Sequence, residues 1–146
     1  MKFLDGEHKA FFERIISETR TQDDPYRAAM FYALGLTATT RHNIKDIYNF
    51  AEHCPRFGAI RKPWQTSTSA RVTRLAFNLY NGYDGGRTDL HTAYTPYELF
   101  CSGLMEYMFE AVRIRYPEYA EAGQEKARQF MAGLEAGAGA LAPATP

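Results

Sequence analysis

Residues 24–34 read Asp24-Pro25-Tyr26-Arg27-Ala28-Ala29-Met30-Phe31-Tyr32-Ala33-Leu34 and predict a helix at the centre of the protein. Asp24 is a typical N-cap, and Pro25 at the first helical position already has the backbone angle that a helix requires. Apolar side chains then recur at helical spacing, and Phe31 and Tyr32 widen the apolar face. A helix with so broad an apolar surface is expected to be mostly buried.

Helical periodicity extends to either side of this segment. Before it, an apolar stripe follows a predicted N-cap at Asp5. After it, Thr39 or Thr40 is expected to cap a third helix, and a fourth is predicted from about Ser67 to Tyr80, ended by Gly82. The apolar positions of the three helices are Phe11, Phe12, Ile15 and Ile16; Ile44, Ile47, Tyr48 and Ala51; and Val72, Leu75, Ala76 and Leu79.

Two further helices are predicted in the last third of the chain. Thr95-Pro96-Tyr97-Glu98 combines an N-cap, a proline at the first helical position and a capping-box glutamate. That helix is expected to end at Tyr116, because Pro117 disfavours a helical residue before it. A sixth helix is predicted to begin near Pro117 and to bury Tyr119, Gly123, Ala127, Phe130, Met131 and Leu134.

The segments between these helices are rich in glycine, proline and polar residues. They predict a loop over residues 55–65 and a long, exposed glycine-containing loop near residues 82–94. In the second loop Asn81-Gly82 or Asp84-Gly85 is compatible with a small hairpin. Residues 136–146 have the composition of a flexible tail. The sequence therefore predicts an all-α protein, with a single compact domain of five to six helices over residues 1–135.

The composition is that of an ordinary globular domain. The chain has 146 residues, 45% of them hydrophobic, which is enough for one domain with a core and excludes a disordered protein. No apolar run reaches the length of a membrane span, and the polar N-terminus does not resemble a signal peptide. Cys54 and Cys101 are too few for a disulfide framework. We therefore expect a soluble cytoplasmic protein without membrane association.

The formal net charge of zero conceals an uneven distribution along the chain. Residues 1–24 carry a net charge of −2 and residues 83–146 a net charge of −4, whereas residues 25–82 carry +6. The eight cationic side chains of the central segment are Arg27, Arg41, Lys45, Arg56, Arg61, Lys62, Arg71 and Arg74. Such a distribution either produces a basic surface that attracts an anionic partner or is neutralised inside the fold.

The densest polar pattern lies on the predicted fourth helix. Four hydroxyl residues, from Thr66 to Ser69, open this helix, where free backbone N–H groups favour an anion. Helical spacing places Ser67, Arg71, Arg74, Asn78 and Asn81 on one face, and Trp64 and Tyr83 lie at its two ends. Arginine and asparagine suit bidentate contacts with phosphates and bases. Three interpretations remain open: a nucleic-acid contact, a protein-binding surface, or a capped, solvated helix whose arginines pair with the acidic last third.

Sequence motifs for catalysis and metal binding are absent. The four histidines, His8, His42, His53 and His91, have no metal-ligand spacing, and there is no nucleophile elbow, Walker loop or dinucleotide fingerprint. Cys101 lies in an apolar helix start, where a buried, inert thiol is expected. Glu106 and Glu110 are expected to form a solvated face, with Glu110 paired to Arg113. The sequence predicts no metal, no cofactor and no enzymatic activity.

Residues 3–119 resemble an uncharacterised domain family associated with bacterial mobile elements and their hosts. The resemblance is carried by several blocks in order, among them Phe3-Leu4-Asp5, Phe31-Tyr32-Ala33-Leu34-Gly35-Leu36, Trp64-Gln65-Thr66, Arg71 through Gly82, Pro96 through Cys101 and Arg115 through Tyr119. The resemblance implies no activity. By analogy, it implies a small protein that acts on host machinery.

The sequence thus favours a small non-enzymatic helical protein that binds a macromolecular partner. The partner is expected to be a protein, and the resemblance implies an inhibitor or regulator of a host process such as a defence nuclease. The alternative is a nucleic-acid-binding module that uses the face from Ser67 to Asn81. The partner-binding residues predicted for either function are Trp64, Ser67, Arg71, Arg74, Asn78, Asn81 and Tyr83.

Overall fold

The all-α fold class is confirmed. A computed structural model describes residues 1–87 and 89–140, and within them eight α-helices and one pair of very short strands occur. In chain order the elements are α1 (Gly6–Thr19), α2 (Pro25–Leu34), α3 (Ala38–His42), α4 (Ile44–Ile47), β1 (Tyr48–Asn49), β2 (Cys54–Pro55), a 3-10 helix (Phe57–Arg61), α5 (Ser67–Asn81), a second 3-10 helix (His91–Tyr94), α6 (Pro96–Phe100), α7 (Met105–Arg115) and α8 (Glu121–Ala140).

The central, buried position predicted for α2 is confirmed. Every side chain from Ala28 to Leu34 is buried, and α2 packs against α1, α5 and α7. Its first turn is capped by Asp24, whose carboxylate accepts hydrogen bonds from the backbone N–H groups of Tyr26 and Arg27. Burial on all sides explains the unusual width of its apolar face, because each neighbouring helix covers a different part of it.

The structure divides two of the six predicted helices, which accounts for the eight observed. The predicted third helix is interrupted at Asn43, between α3 and α4. Its N-cap is Thr37, whose hydroxyl accepts a hydrogen bond from the N–H of Thr40, so the prediction of a cap at Thr39 or Thr40 was wrong. The predicted fifth helix is interrupted at Cys101, whose non-helical backbone follows the end of α6 at Phe100.

The helix ends show which local signals were interpreted correctly. Asp5 caps α1, and Gly82 ends α5 in the left-handed conformation, as predicted. The capping box predicted at Thr95 is not formed, because the Thr95 hydroxyl donates to the carbonyl of Thr92 instead. A capping box does occur at the start of α5, where Thr66 and Ser69 bond to each other's backbone N–H groups.

The one strand pair of the described chain lies outside the predicted hairpin. Tyr48 pairs with Pro55 and Asn49 with Cys54 in antiparallel register. The connecting turn is closed by the Asn49 side chain, which accepts from the N–H groups of Ala51 and Glu52. No strand forms in the described part of residues 81–94, so the hairpin considered at Asn81-Gly82 or Asp84-Gly85 is absent there. Asn81 and Gly82 instead complete and cap α5.

The chain forms two compact units, Met1–Arg115 and Tyr116–Pro146. In the second unit every described side chain from residue 124 to 139 is exposed. The predicted burial of Tyr119, Ala127, Phe130, Met131 and Leu134 was therefore wrong, and Gly123 is half-buried. Residues 136–140, predicted as tail, continue α8, and the remainder of that tail, 141–146, lies outside the described residues. None of the described helices is both long and apolar enough to cross a bilayer.

Candidate functional site

The hydroxyl cluster at the start of α5 bonds within itself. The hydroxyl of Thr66 accepts from the N–H of Ser69 at 3.0 Å, and the hydroxyl of Ser69 accepts from the N–H of Thr66 at 2.8 Å. Ser69 also donates to the side-chain oxygen of Gln65 at 2.6 Å. Thr66 and Ser69 therefore cap the helix, while Ser67 and Thr68 remain exposed.

Both arginines of the predicted face contact later segments of the chain. A guanidinium nitrogen of Arg71 donates to the carbonyl oxygen of Cys101 at 2.7 Å. Arg74 forms an ion pair with Asp89, with 3.1 Å between its Nε and Oδ2 of the carboxylate. Because the Asp89 side chain is only 9% exposed, this pair ties the loop of residues 82–90 to the middle of α5.

Asp89 also accepts a hydrogen bond from Tyr94, one of the contacts that favour its ionised carboxylate. The Tyr94 hydroxyl donates to Oδ2 of Asp89 at 3.0 Å. Burial alone would raise the pKa of Asp89, but the hydrogen bonds from Arg74, from the N–H of Leu90 and from Tyr94 together lower it below its usual value. Burial, reinforced by the Asp89 carboxylate, raises the pKa of Tyr94. At neutral pH this is therefore an ionised carboxylate with three donors.

The other predicted site residues with partners lie at the end of α5 and before its start. Asn78 donates to the carbonyl of Tyr83, and Asn81 accepts from the N–H of Tyr83, both at 3.2 Å. The Tyr83 ring stacks on Phe57, with 4.1 Å between the ring centres. At the other end, the indole N–H of Trp64 donates to Asp46 at 2.9 Å.

Six of the seven predicted partner-binding residues thus have a partner within the chain, and Ser67 is exposed. The structure brings four of them together at one loop, where Arg74 bonds to Asp89 and both Asn78 and Asn81 bond to Tyr83. Arg71 holds a different segment, the one after α6. Trp64 lies apart, with Asp46 of α4. Contact between these side chains and a further molecule stays a prediction.

Two more arginines of the basic centre are engaged as well. Arg27 donates to Asp24, to the hydroxyl of Tyr48 and to the carbonyl of His53. The hydrogen bond to Asp24 and those to other neighbours raise the pKa of Arg27, although burial opposes the shift. Arg41 donates to the carbonyl of Gly35 and pairs with Glu7. Three of these four arginines, Arg27, Arg41 and Arg74, are therefore paired with carboxylates, and backbone carbonyls accept further hydrogen bonds from Arg27, Arg41 and Arg71.

A depression of about 550 Å3 lies between α1 and α3. Its lining consists of Glu7, Ala10, Phe11, Arg14, Ala38, Arg41 and His42. Arg41 and Glu7, which both belong to this lining, form an ion pair with each other at 3.0 Å. A second depression of about 390 Å3 shares Phe11 and Arg14 with it. Both are shallow, largely apolar surfaces along α1.

The reactive side chains are dispersed. Cys54 and Cys101 are free thiols, and Cys101 is exposed, so its predicted burial was wrong: it follows α6 rather than lying inside it. Among the described residues, no three His, Cys, Asp or Glu side chains are grouped so as to hold a metal ion. Glu110 pairs with Arg113 at 3.4 Å, as its spacing predicted.

The most prominent surface feature that sequence reasoning missed lies on α8. Phe130, Met131 and Leu134 are 66%, 54% and 53% exposed, and Ala127 continues the same face. The helical spacing of these residues is visible in the sequence, where it predicts a core stripe. Spacing alone cannot distinguish a stripe that packs on its own domain from one that is left for a partner.

The sequence model of one family, described as a family of unknown function (DUF6075), matches residues 1–128 of the chain. No curated protein and no solved structure matches the chain. The match agrees with the resemblance to an uncharacterised family seen over residues 3–119. It says nothing of where the family's members occur, so the association with mobile elements stays a prediction.

Proposed function

Because the chain belongs to the DUF6075 family, whose function is unknown, we propose its function from its own surface: it is a non-enzymatic protein that binds another protein through α8. The observation that carries this proposal is the exposed apolar stripe of Ala127, Phe130, Met131 and Leu134. These side chains recur at intervals of three and four residues, so they form one continuous face of the helix.

The stripe has the composition of a binding helix. Aromatic residues and methionine are enriched where proteins bind each other, and an amphipathic helix commonly inserts its apolar face into a groove of its partner. Glu125 and Arg128 form an ion pair at 2.7 Å, so the charge of Arg128, which borders Ala127 and Met131, is balanced within the helix. The partner we propose is a protein with an apolar groove that accepts one helix.

Replacing apolar residues of the stripe by charged ones should strongly weaken binding of the partner protein. Burial of one large apolar side chain stabilises a complex by about 1.5–3 kcal/mol. Phe130→Glu combined with Leu134→Glu is therefore expected to weaken the complex by at least about 100-fold, which is ~2.7 kcal/mol. The measurement is affinity capture from nuclease-treated extract of the native host, followed by titration of the captured protein against each variant.

Gln129→Glu combined with Ala132→Glu is the matched control, because it adds the same charge to the opposite face of α8. The proposal expects the wild type and this control to capture the same protein, and the stripe variant to lose it. Equal capture by the stripe variant would exclude α8 as the contact surface. Turnover of a substrate that is abolished by one substitution would overturn the non-enzymatic assignment.

Nucleic-acid binding through the face from Ser67 to Asn81 is the second candidate. Its support is weakened by the internal hydrogen bonds of Arg71, Arg74 and Asn78, which a polyanion would have to replace. Loss of all captured material after nuclease treatment would favour it. A steep fall of affinity with rising salt would do the same, since each phosphate contact releases counterions.

We further propose that the partner belongs to host machinery, such as a defence nuclease, which this protein inhibits. The support is the resemblance to a family associated with mobile elements. A reducing cytoplasm is the compartment we propose, and the free thiols of Cys54 and Cys101 agree with it. The test is to titrate the captured host enzyme with this protein and to measure its activity. Unchanged activity at saturation would exclude inhibition.

A further inference from the structure

Three cations of the basic centre differ from the arginines described above. Within the described residues, Lys45, Arg56 and Lys62 are exposed and no acidic side chain forms an ion pair with them. They come from different segments: Lys45 from α4, Arg56 from the residue after β2, and Lys62 from the residue after the first 3-10 helix.

The backbone brings these three residues to one place. The N–H of Arg56 donates to the carbonyl of Ile47 at 2.7 Å, which joins the end of α4 to the start of the 3-10 helix. Two successive turns, from Ala59 N–H to the Arg56 carbonyl and from Lys62 N–H to the Ala59 carbonyl, then lead to Lys62. The result is a depression of about 320 Å3 lined by Lys45, Asp46, Arg56, Gly58, Ala59 and Lys62.

The charge of this depression is positive. Three cations face one carboxylate, that of Asp46, which already accepts the indole N–H of Trp64. Like charges held around one small volume repel each other, and a bound anion relieves that repulsion. The arrangement therefore favours an anion that carries about two negative charges and several acceptor oxygens.

We propose that Lys45, Arg56 and Lys62 form a binding site for a phosphate group. A phosphate monoester carries about −1.5 to −2 charges at neutral pH and three acceptor oxygens. The guanidinium of Arg56 provides paired donors, and each lysine adds a compact positive charge. The phosphate belongs either to a small molecule or to a nucleic-acid backbone, which share this chemistry. The site shares no residue with the stripe on α8 and does not depend on the proposed function.

Trp64 provides an intrinsic probe of this site. It is the one tryptophan of the chain, and its indole bonds to a carboxylate in the lining. The experiment titrates the full chain with inorganic pyrophosphate at low ionic strength, followed by tryptophan fluorescence and by calorimetry. A parallel titration uses a 12-nucleotide oligothymidylate. Saturable binding of pyrophosphate assigns a small phosphate ligand. Binding of the oligonucleotide alone, with a logarithmic salt slope of about −2 for three contacts, assigns a nucleic-acid backbone.

Two sets of variants distinguish binding at this depression from nonspecific attraction by the positive charge of the whole protein. The triple variant Lys45→Gln, Arg56→Gln, Lys62→Gln should weaken binding about 30-fold, since exposed ion pairs each contribute up to about 1 kcal/mol, and a factor of ten is ~1.4 kcal/mol. The control Lys9→Gln, Arg87→Gln, Lys126→Gln removes the same charge elsewhere and should change affinity less than about twofold if distant charges are screened. Equal weakening by both, or no saturable binding of either probe, overturns the proposal.

Asp46→Asn provides a test that does not rely on loss of function. Asparagine keeps an oxygen that accepts the Trp64 N–H but removes the one negative charge of the lining. Pyrophosphate should therefore bind about fivefold more tightly, as expected from removing a repulsion of about 1 kcal/mol between charges near 4 Å in water. Unchanged or weaker binding by this variant would contradict the proposed position of the phosphate.

Discussion

His8 is a buried histidine whose proton position is determined by its neighbours. The backbone N–H of Leu4 donates to its Nδ1 at 3.1 Å, so Nδ1 acts as the acceptor. Nε2 therefore carries the hydrogen and donates to the carbonyl of Tyr32 at 2.8 Å. Burial lowers the pKa of His8 below 6.5, although the bond to the Tyr32 carbonyl opposes the shift. The folded protein thus holds the neutral ring, which joins α1 to α2.

A lowered histidine pKa makes the folded state less stable in acid. Above pH 6.5, the ordinary value, His8 is neutral in both the folded and the unfolded chain, and its contribution is fully present. As the pH falls below that value, the unfolded chain takes up the proton first, so the free energy of unfolding decreases. We expect the urea midpoint to fall between pH 7.5 and 5.5. His8→Gln should show a smaller fall.

The His8→Gln variant should also lose about 1–3 kcal/mol at pH 7.5, because the Leu4 N–H or the Tyr32 carbonyl loses its partner. His42→Gln is the control, since His42 is exposed. Equal pH dependence in the wild type and His8→Gln would show that another group causes the acid destabilisation.

Gly35 provides the space in which the His8 ring lies. A Cβ at position 35 would come within 2.6 Å of Cδ2 of His8 and 2.9 Å of Cδ1 of Phe11. Gly35→Ala is therefore expected to destabilise the fold by about 1–3 kcal/mol, as overpacked cores do. Gly133→Ala on α8 meets nothing within 4 Å and should be neutral or stabilising by up to about 1 kcal/mol. Chemical denaturation measures both, and equal stabilities would refute the close fit.

At the scale of elements, the loop after α5 is held against that helix by side-chain contacts. Its anchor is the ion pair of Arg74 with Asp89, supported by the stacking of Tyr83 on Phe57. The loop is exposed at most of its described residues, as its glycines predict, but side-chain contacts hold it against α5. Gly85 is buried, and an added Cβ there would approach Asp89 to 2.8 Å, so the backbone conformation is coupled to the anchor.

Removal of the anchor should release the loop without unfolding the helices. Arg74→Ala leaves Asp89 without its ionic partner, at an expected cost of about 1–3 kcal/mol. Amide hydrogen exchange in residues 82–94 should accelerate, while exchange in α2 stays slow. Arg113→Ala removes a partly exposed pair, in which the Arg113 side chain is 55% exposed and that of Glu110 is 18% exposed, and should cost less than about 1 kcal/mol. Unchanged exchange in the loop of the Arg74→Ala variant would show that the aromatic contacts alone hold it.

At the scale of the whole molecule, the sequence predicted helices better than it predicted surfaces. The class, the central α2 and the caps at Asp5, Asp24 and Gly82 follow from local rules that act within a few residues. The bonding of Arg71 and Arg74, in contrast, depends on Cys101 and Asp89, which lie 30 and 15 residues away. Nothing in the spacing of Lys45, Arg56 and Lys62 distinguishes them from the arginines that the fold neutralises.

The positions of the buried residues make a prediction about the minimal folded unit. Every buried apolar residue described lies at or before Ala111, and the first compact unit ends at Arg115. In α7, Met108 and Ala111 are fully buried, and the helix packs against α2. We therefore expect a chain that ends at Arg115 to unfold cooperatively, with a midpoint temperature within a few degrees of the full chain, because the first unit contains every buried apolar residue described.

A chain that ends at Gly103 lacks α7 and uncovers one side of α2, so it should lose the cooperative transition. Burying Met108 alone contributes about 1.5–3 kcal/mol, a large part of the 5–15 kcal/mol that holds a typical domain together. Calorimetry on the two truncated chains is the measurement. Failure of the longer one to fold would mean that residues beyond Arg115 help to build the core, and that α8 has a structural role in place of the binding role proposed for its stripe.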